Sequence, residues 1–256
     1  MKATRFVAGL LATATALVLA SQVHAAGDVG HIEQANNELE NSASLQRGAR
    51  NFMNYCVGCH ALKYVRYNRL SEDLGLNEDQ LKENLIFGAD KANANVNRAM
   101  TSEQATKWFN AEPPDLSLTA RSRGVDWIYT YLKTFYVDES RDSGVNNLLL
   151  AGSSMPHVLW ELQGLQRAVY RNETVVADGG FTEEISVFDY FEPLKAGTLT
   201  PAEYDGFVRD TVNFLDYVGE PMKLKRQRIG LMVLGYLVAL GLLLFALKKE
   251  YWRDIH

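Results

Sequence analysis

Cys56-Val57-Gly58-Cys59-His60 is the stretch on which the reading of the whole chain turns. Two thiols three positions apart on a short turn reach the two vinyl groups of one porphyrin. The histidine that follows is carried beneath the iron, so C-x-x-C-H is the attachment signature of a c-type haem. The competing readings are a chance match, a redox dithiol and half of a zinc site. The chain has only these two cysteines in 256 residues, which weighs against chance. A thioredoxin-like pair wants a βαβ pattern, which the sequence lacks, and structural zinc wants further Cys or His ligands at close spacing. Thioethers of this kind are made outside the cytoplasm, so the reading requires export.

The N-terminus meets that requirement. Lys2 and Arg5 form a positive region, residues 7–20 an apolar core, and Val23-His24-Ala25 a small-residue cleavage site. This is the layout of a secretory signal, too short and too interrupted for a first membrane helix. Near the other end, residues 229–247 run for 19 positions without a charge. At about 1.5 Å per residue that is just enough to cross a hydrocarbon core of roughly 30 Å. Lys223, Lys225, Arg226 and Arg228 precede the run; Lys248, Lys249 and Arg253 follow it, with Tyr251 and Trp252 as interface anchors. The basic flanks nearly balance, so orientation is taken from the signal. The expected division is a signal peptide over residues 1–25, a periplasmic haem domain over 26–222, a transmembrane anchor over 223–248 and a cytoplasmic tail over 249–256. This describes a periplasmic domain on a single C-terminal anchor.

Removing the two ends changes the charge balance. Residues 26–222 carry 17 Lys and Arg against 29 Asp and Glu, a net charge of −12 where the whole chain has −5. Such a domain is set against nucleic acid and suits a cationic protein partner drawn by its field, although solubility alone would give the same balance. At about 200 residues the domain can bury a core without disulfides.

Along the chain, Ser42 or Ser44 offers an N-cap for a helix whose Leu45, Ala49, Phe52, Met53 and Cys56 follow helical spacing and deliver the haem motif at its end. Gly48 lies where a second helix could approach closely. Residues 77–87 read as another helix, 111–117 as a turn, and the aromatic-rich 125–137 as a helix closing part of the haem pocket. A loop over 138–147 follows. Thr174-Val175-Val176 and Ile185-Ser186-Val187, separated by Asp178-Gly179-Gly180, suggest a small hairpin within an acidic segment, 172–194, that has no Lys or Arg and reads as an exposed face. Thr200-Pro201-Ala202-Glu203 opens a last soluble helix, with Thr as N-cap and Pro at the first position, ending at Gly219-Glu220-Pro221. The expected class is mainly α: a cytochrome c-like helical haem domain with loop insertions, plus one C-terminal transmembrane helix.

The second axial position decides between electron relay and substrate chemistry. Met1 leaves with the signal, Met232 lies in the anchor and Met222 abuts it, and Met53 lies one turn before Cys56 on the proximal side. Met100 and Met155 remain. Met155 ends a small-residue loop, Gly152-Ser153-Ser154-Met155-Pro156, and is favoured over Met100. His157, two residues on, is the histidine rival. Haem propionates want Arg or Tyr nearby; Arg121 and Arg123 are candidates, with ordinary surface arginines the competing reading.

The combination resembles the cytochrome c1 family. The resemblance spans the mature chain and rests on Tyr55 to His60 with Tyr64-Val65-Arg66-Tyr67, on Pro113-Pro114-Asp115-Leu116-Ser117, on Arg121-Ser122-Arg123, on Met155-Pro156 and on the C-terminal anchor. It implies one covalent haem c, with iron held by His60 and Met155, a propionate contact from Arg123, and Pro114 packed by the haem. The short stretch between the Pro-Pro loop and Met155 points to a bacterial form. It further implies a redox subunit of a ubiquinol–cytochrome c reductase, without catalysis by the isolated chain. Electrons would come from a Rieske iron–sulfur protein and leave to a soluble or tethered cytochrome c, with cytochrome b as membrane partner. A stand-alone tethered cytochrome feeding an oxidase, and a haem enzyme with an open distal site, are the alternatives.

Overall fold

The computed structural model describes residues 32–87, 91–176 and 182–253. The expected signal peptide, the Asp178-Gly179-Gly180 turn and the last three residues of the tail lie outside them. In chain order the elements are α1 (Ser42–Tyr55), β1 (Leu62–Arg66), α2 (Tyr67–Leu74), α3 (Glu78–Asn84), β2 (Asn95–Val96), α4 (Ser102–Phe109), α5 (Thr119–Ser122), α6 (Val125–Lys133), β3 (Phe135–Val137), β4 (Val145–Asn147), α7 (Trp160–Gln163), β5 (Gly164–Val176), β6 (Thr182–Ala196), α8 (Pro201–Gly219) and α9 (Lys223–Tyr251).

The core forms where α1 crosses α8. Leu45, Ala49, Phe52 and Met53 are buried on one side, and Val208, Val212, Phe214 and Leu215 on the other; the rings of Phe52 and Phe214 lie 5.9 Å apart. Gly48 allows the contact. A Cβ there would stand 2.0 Å from the Asp210 carbonyl oxygen and 2.6 Å from the Phe214 Cβ, inside any tolerable approach. The N-cap of α1 differs from expectation. It is Asn41, whose side chain accepts from the Ser44 N–H at 3.1 Å. Ser44 is taken by the crossing helix instead: its hydroxyl donates to Asp210 at 2.6 Å and accepts from the Asn213 amide at 2.9 Å. The start of α8 is as the sequence predicts, with the Thr200 hydroxyl and the Glu203 carboxylate capping reciprocally and Pro201 in the first turn.

Among the described residues three two-stranded antiparallel sheets accompany this crossing, and sequence reading foresaw only part of them. β1 pairs with β2, Leu62 opposite Val96 and Arg66 opposite Asn95, a long-range pairing that local pattern does not encode. The helix expected over 125–137 stops at Lys133, because 135–137 pairs with 145–147 inside the expected loop; Gly144, at φ 69°, makes the turn. The hairpin is also larger than its apolar tip suggested. β5 and β6 pair from Gly164↔Ala196 to Val176↔Thr182, and its lower half carries Arg167 opposite Glu192 rather than an alternating apolar pattern. Glu173, Glu183, Glu184, Asp189 and Glu192 are exposed on it.

The helix α9 is long and apolar enough to cross a membrane, and none of its residues is buried. Its Leu231, Leu243 and Phe245 stand open, a surface that water does not tolerate at this extent. Its first residue is tied back to the domain: Lys223 Nζ donates to both oxygens of the buried Asp216 at 2.9 Å.

Replacing Gly48 by Ala should force α1 and α8 apart at the Asp210 carbonyl. Overpacking of this kind costs about 2–3 kcal/mol, which lowers the thermal midpoint by roughly 5–10 °C in a domain of this size. Circular dichroism melts of the detergent-solubilised variant measure it; an unchanged midpoint is incompatible with the close crossing.

Candidate haem-attachment site

The helix α1 ends at Tyr55 and hands its direction directly to the motif. Cys56 is the C-cap residue. The N–H groups of Cys59 and His60 both donate to the Cys56 carbonyl, at 3.0 and 2.8 Å, closing residues 56–60 into one turn. Both thiols are unpaired with each other. Burial pushes the Cys56 thiol up to about 12, with the neighbouring Cys59 adding to it. Burial also raises Cys59, against the opposing pull of Arg98. A redox dithiol depends on a lowered pKa, and burial acts on both of these thiols in the opposite sense.

His60 is held by its far side. Its Nδ1 lies 2.8 Å from the Pro114 carbonyl, which accepts only, so Nδ1 carries the proton and Nε2 keeps a bare lone pair. Burial lowers the pKa of the ring below its ordinary value; the Pro114 bond opposes this, Arg98 reinforces it and Asp115 opposes it. The imidazole is therefore neutral near pH 7, as a metal ligand must be.

Pro113-Pro114-Asp115-Leu116-Ser117 wraps the turn and the start of β1. The Leu116 N–H donates to the Ala61 carbonyl at 2.9 Å. The Asp115 carboxylate accepts from the backbone N–H of Lys63 at 2.8 Å and of Ser117 at 3.0 Å, and the Ser117 hydroxyl accepts from the Tyr64 N–H at 3.3 Å. From the other side, the N–H groups of Ala99 and Met100 donate to the carbonyls of Val57 and Gly58, at 3.2 and 3.0 Å. Met100 is thus fastened to the attachment turn itself, on the side of the cysteines.

Met155 belongs to a second group of contacts. Its N–H donates to the Ser153 hydroxyl at 3.3 Å, and that hydroxyl lies 2.7 Å from the Tyr131 hydroxyl. Tyr131 stacks on Trp127 with centroids 5.1 Å apart, and Arg123 lies over the Trp127 ring at 5.0 Å. Gly152 takes φ 76°, which turns the loop ahead of Met155. His157 is buried and stacks on Phe135 at 5.2 Å, where burial lowers its pKa to about 4. The rival for the second axial position is thus packed into the core against Phe135. Arg121 is separated from Arg123: its Cγ lies 3.3 Å from where a Gly219 Cβ would be, and its charge helps lower the carboxyl of Glu220 after the larger effect of Arg226.

Two unpaired thiols on one turn and a neutral histidine with one bare nitrogen fit a covalently attached haem. Next to the segments that clasp His60, Tyr64 and Leu118 are 75 and 47 % exposed, apolar surface of the kind that a porphyrin would cover. Sequence reading named Cys56, Cys59, His60 and Pro114, which the fold brings together. It gave no role to Arg98; Ser153 and Tyr131 entered only as parts of the Met155 loop and of the aromatic helix, and Asp115 and Ser117 only within the Pro-Pro motif, where the Asp-x-Ser spacing of a side-chain turn is the local signal.

A family model described as the cytochrome C1 family matches residues 33–255. The chain is 50 % identical to a cytochrome c1 of Allochromatium vinosum, over 96 % of this chain and 99 % of that one. It is 42 % identical to a protein of Nitrosomonas europaea named as an ammonia monooxygenase gamma subunit, over 94 and 96 % of the two chains. All of it aligns at 26 % identity with 41 % of a longer protein of Bradyrhizobium diazoefficiens named cytochrome b/c1.

Asp115→Ala removes the acceptor of two backbone N–H groups, at a cost of about 2 kcal/mol. The expected result is less covalent haem per chain, read as haem stain against immunodetected protein in membranes, with Asp115→Asn intermediate. Full loading and an unchanged melt for Asp115→Ala contradict the role given to this clasp.

Proposed function

The chain belongs to the cytochrome c1 family, and from that membership and the His60–Pro114 geometry we propose that it is the haem-bearing electron-transfer subunit of a ubiquinol–cytochrome c reductase. The observation that carries the reading is the turn that presents two free thiols and a histidine whose Nδ1 is committed to a carbonyl, leaving Nε2 for iron. Members of the family carry one covalent haem c. When bound, the haem supplies a one-electron ferric–ferrous couple.

In this reading Cys56 and Cys59 would hold the porphyrin, and His60 through its Nε2 and Met155 through its sulfur would be the ligands of the iron. Met–His ligation raises the potential, which suits an acceptor of electrons from a Rieske iron–sulfur protein. Pro114, whose carbonyl accepts from His60 Nδ1, would orient the imidazole toward the haem. Arg123, held over Trp127, would contact a propionate; Arg121, whose side chain lies against Gly219, is the weaker candidate of the two. The anchor α9 places the domain at a membrane beside cytochrome b, consistent with a relative in which the two are named as one chain. With residues 1–25 as an export signal, the domain over 26–222 is periplasmic and the tail over 249–256 cytoplasmic. The acidic surface, including the exposed carboxylates of β5 and β6, draws in a basic cytochrome c as acceptor. Quinol oxidation and proton release belong to the partners, and this chain by itself catalyses no reaction.

Family membership over nearly the whole chain favours this over a solitary tethered cytochrome, and a methionine-ligated iron over an open distal site. Met155→Leu should abolish the weak near-infrared methionine-to-iron band of the ferric protein and lower the haem potential, whereas His157→Leu should keep the band and lose stability. Persistence of the band in Met155→Leu refutes the ligand assignment. Copurification from detergent-solubilised membranes should bring down cytochrome b and a Rieske protein; recovery of the chain without them refutes the complex.

A further inference from the structure

We infer that Arg98 is a positioning residue for the proximal ligand, its guanidinium fork fixing the proline loop whose carbonyl holds the His60 ring. The inference rests on the reading of His60 as that ligand.

Three stretches of chain meet here, and Arg98 joins two of them. Its Nε donates to the Met100 carbonyl at 2.9 Å, one Nη to the Pro113 carbonyl at 3.1 Å, and the other to the Ser102 hydroxyl at 2.8 Å and to the Glu112 carboxylate. Met100 is itself bonded to Gly58 between the two cysteines, and Pro114 to His60. The contacts close a ring: attachment turn, Met100, Arg98, Pro113-Pro114, His60 and back to the turn. The side chain is 13 % exposed, so the fork is held in one arrangement rather than sampling solvent.

The two prolines explain why a fork is needed. Neither has an N–H, so the loop at 113–114 has no backbone donor with which to anchor itself. Its carbonyls have to be gripped from outside, Pro113 by Arg98 and Pro114 by His60. A planar guanidinium with five donors reaches a carbonyl on each wall at once; a lysine ammonium supplies the same charge from one point. The His60–Pro114 bond makes the imidazole a stronger donor, which favours ferric iron. A cation this near, whose field reaches both Cys59 and His60, acts in the opposite sense and favours ferrous iron. The two effects therefore separate by experiment.

The test uses the full chain in solubilised membranes, with potentiometric titration of the haem and the low-field EPR line of the ferric protein. Arg98→Lys keeps the charge and loses the fork. It should raise the midpoint potential and displace the EPR line, and Arg98→Gln should displace the line as well. An Arg98→Lys protein with the original potential and line overturns the inference, whether Arg98→Gln is lowered in potential, as a pure charge effect requires, or unmoved, as a purely structural role requires. Should Arg98→Gln fail to accumulate with haem attached, Arg98→Lys decides alone. A parent protein without a low-spin histidine–methionine signature would instead overturn the reading of His60 and Met155. A normal parent with an unmoved Arg98→Lys overturns only the role of Arg98.

Discussion

The close crossing of α1 over α8 at Gly48 is the constraint from which the rest of the domain follows. At that point helix backbone meets helix backbone, with the Asp210 carbonyl where a side chain on residue 48 would have to be. The contact is locked on both sides by polar groups that reach across it. Asn51 donates to the Phe207 carbonyl and the Thr211 hydroxyl, each at 3.2 Å, and Arg47 pairs with Asp210 at 2.5 Å. A packed interior transmits direction because it does not compress. Fixing α1 on α8 therefore fixes the axis along which Cys56 leaves the helix, and with it the plane in which the two thiols and His60 are offered.

Beyond that rigid pair the site is built from irregular backbone, which has to find its hydrogen bonds elsewhere. It does so with short polar side chains rather than a sheet. Asp115 and Ser117 take the N–H groups of Lys63, Ser117 and Tyr64; the Asn95 amide donates to the Lys63 carbonyl at 2.7 Å; Arg98 takes the carbonyls of Met100 and Pro113. This is a demanding way to hold a loop, since each partner removed leaves a backbone group unpaired. The return is precision around one imidazole. A redox centre benefits directly, because the donor strength of its ligand depends on the bond at the far ring nitrogen.

The elements that could be read in advance are those whose cause is local. Thr200-Pro201-Ala202-Glu203 contains its own capping chemistry, the charge-free run before Lys248 contains its own length, and C-x-x-C-H contains its own geometry. Gly48 was legible too, because a glycine on an otherwise apolar helix face has few other uses. Ser44 misled because its preference for capping lost to a partner 166 residues away. The β1–β2 pair, the strand at 135–137 and the lower half of the β5–β6 hairpin depend on neighbours distant in sequence, and their residues alternate too weakly to declare a period of two. Arg98 was invisible for a further reason. An arginine in a polar stretch looks the same whether it faces water or three carbonyl and carboxyl groups.

The same logic extends to the membrane end of the domain. Asp216 lies on the buried face of α8, only 5 % exposed, where an unpaired carboxylate would be costly. It accepts from the Asn37 amide at 2.9 Å and from Lys223, the first residue of α9. Asn37 and the neighbouring Glu38 in turn meet Asn213, so the arm that precedes α1 is pinned to the same point. Glu220 adds a second tie through Arg226. The span and the haem domain are therefore joined by charges on α8, the helix that α1 crosses, not by a free linker. A tether of that kind restricts how far the haem turn can swing relative to the membrane, which a loose connection of equal length would not do.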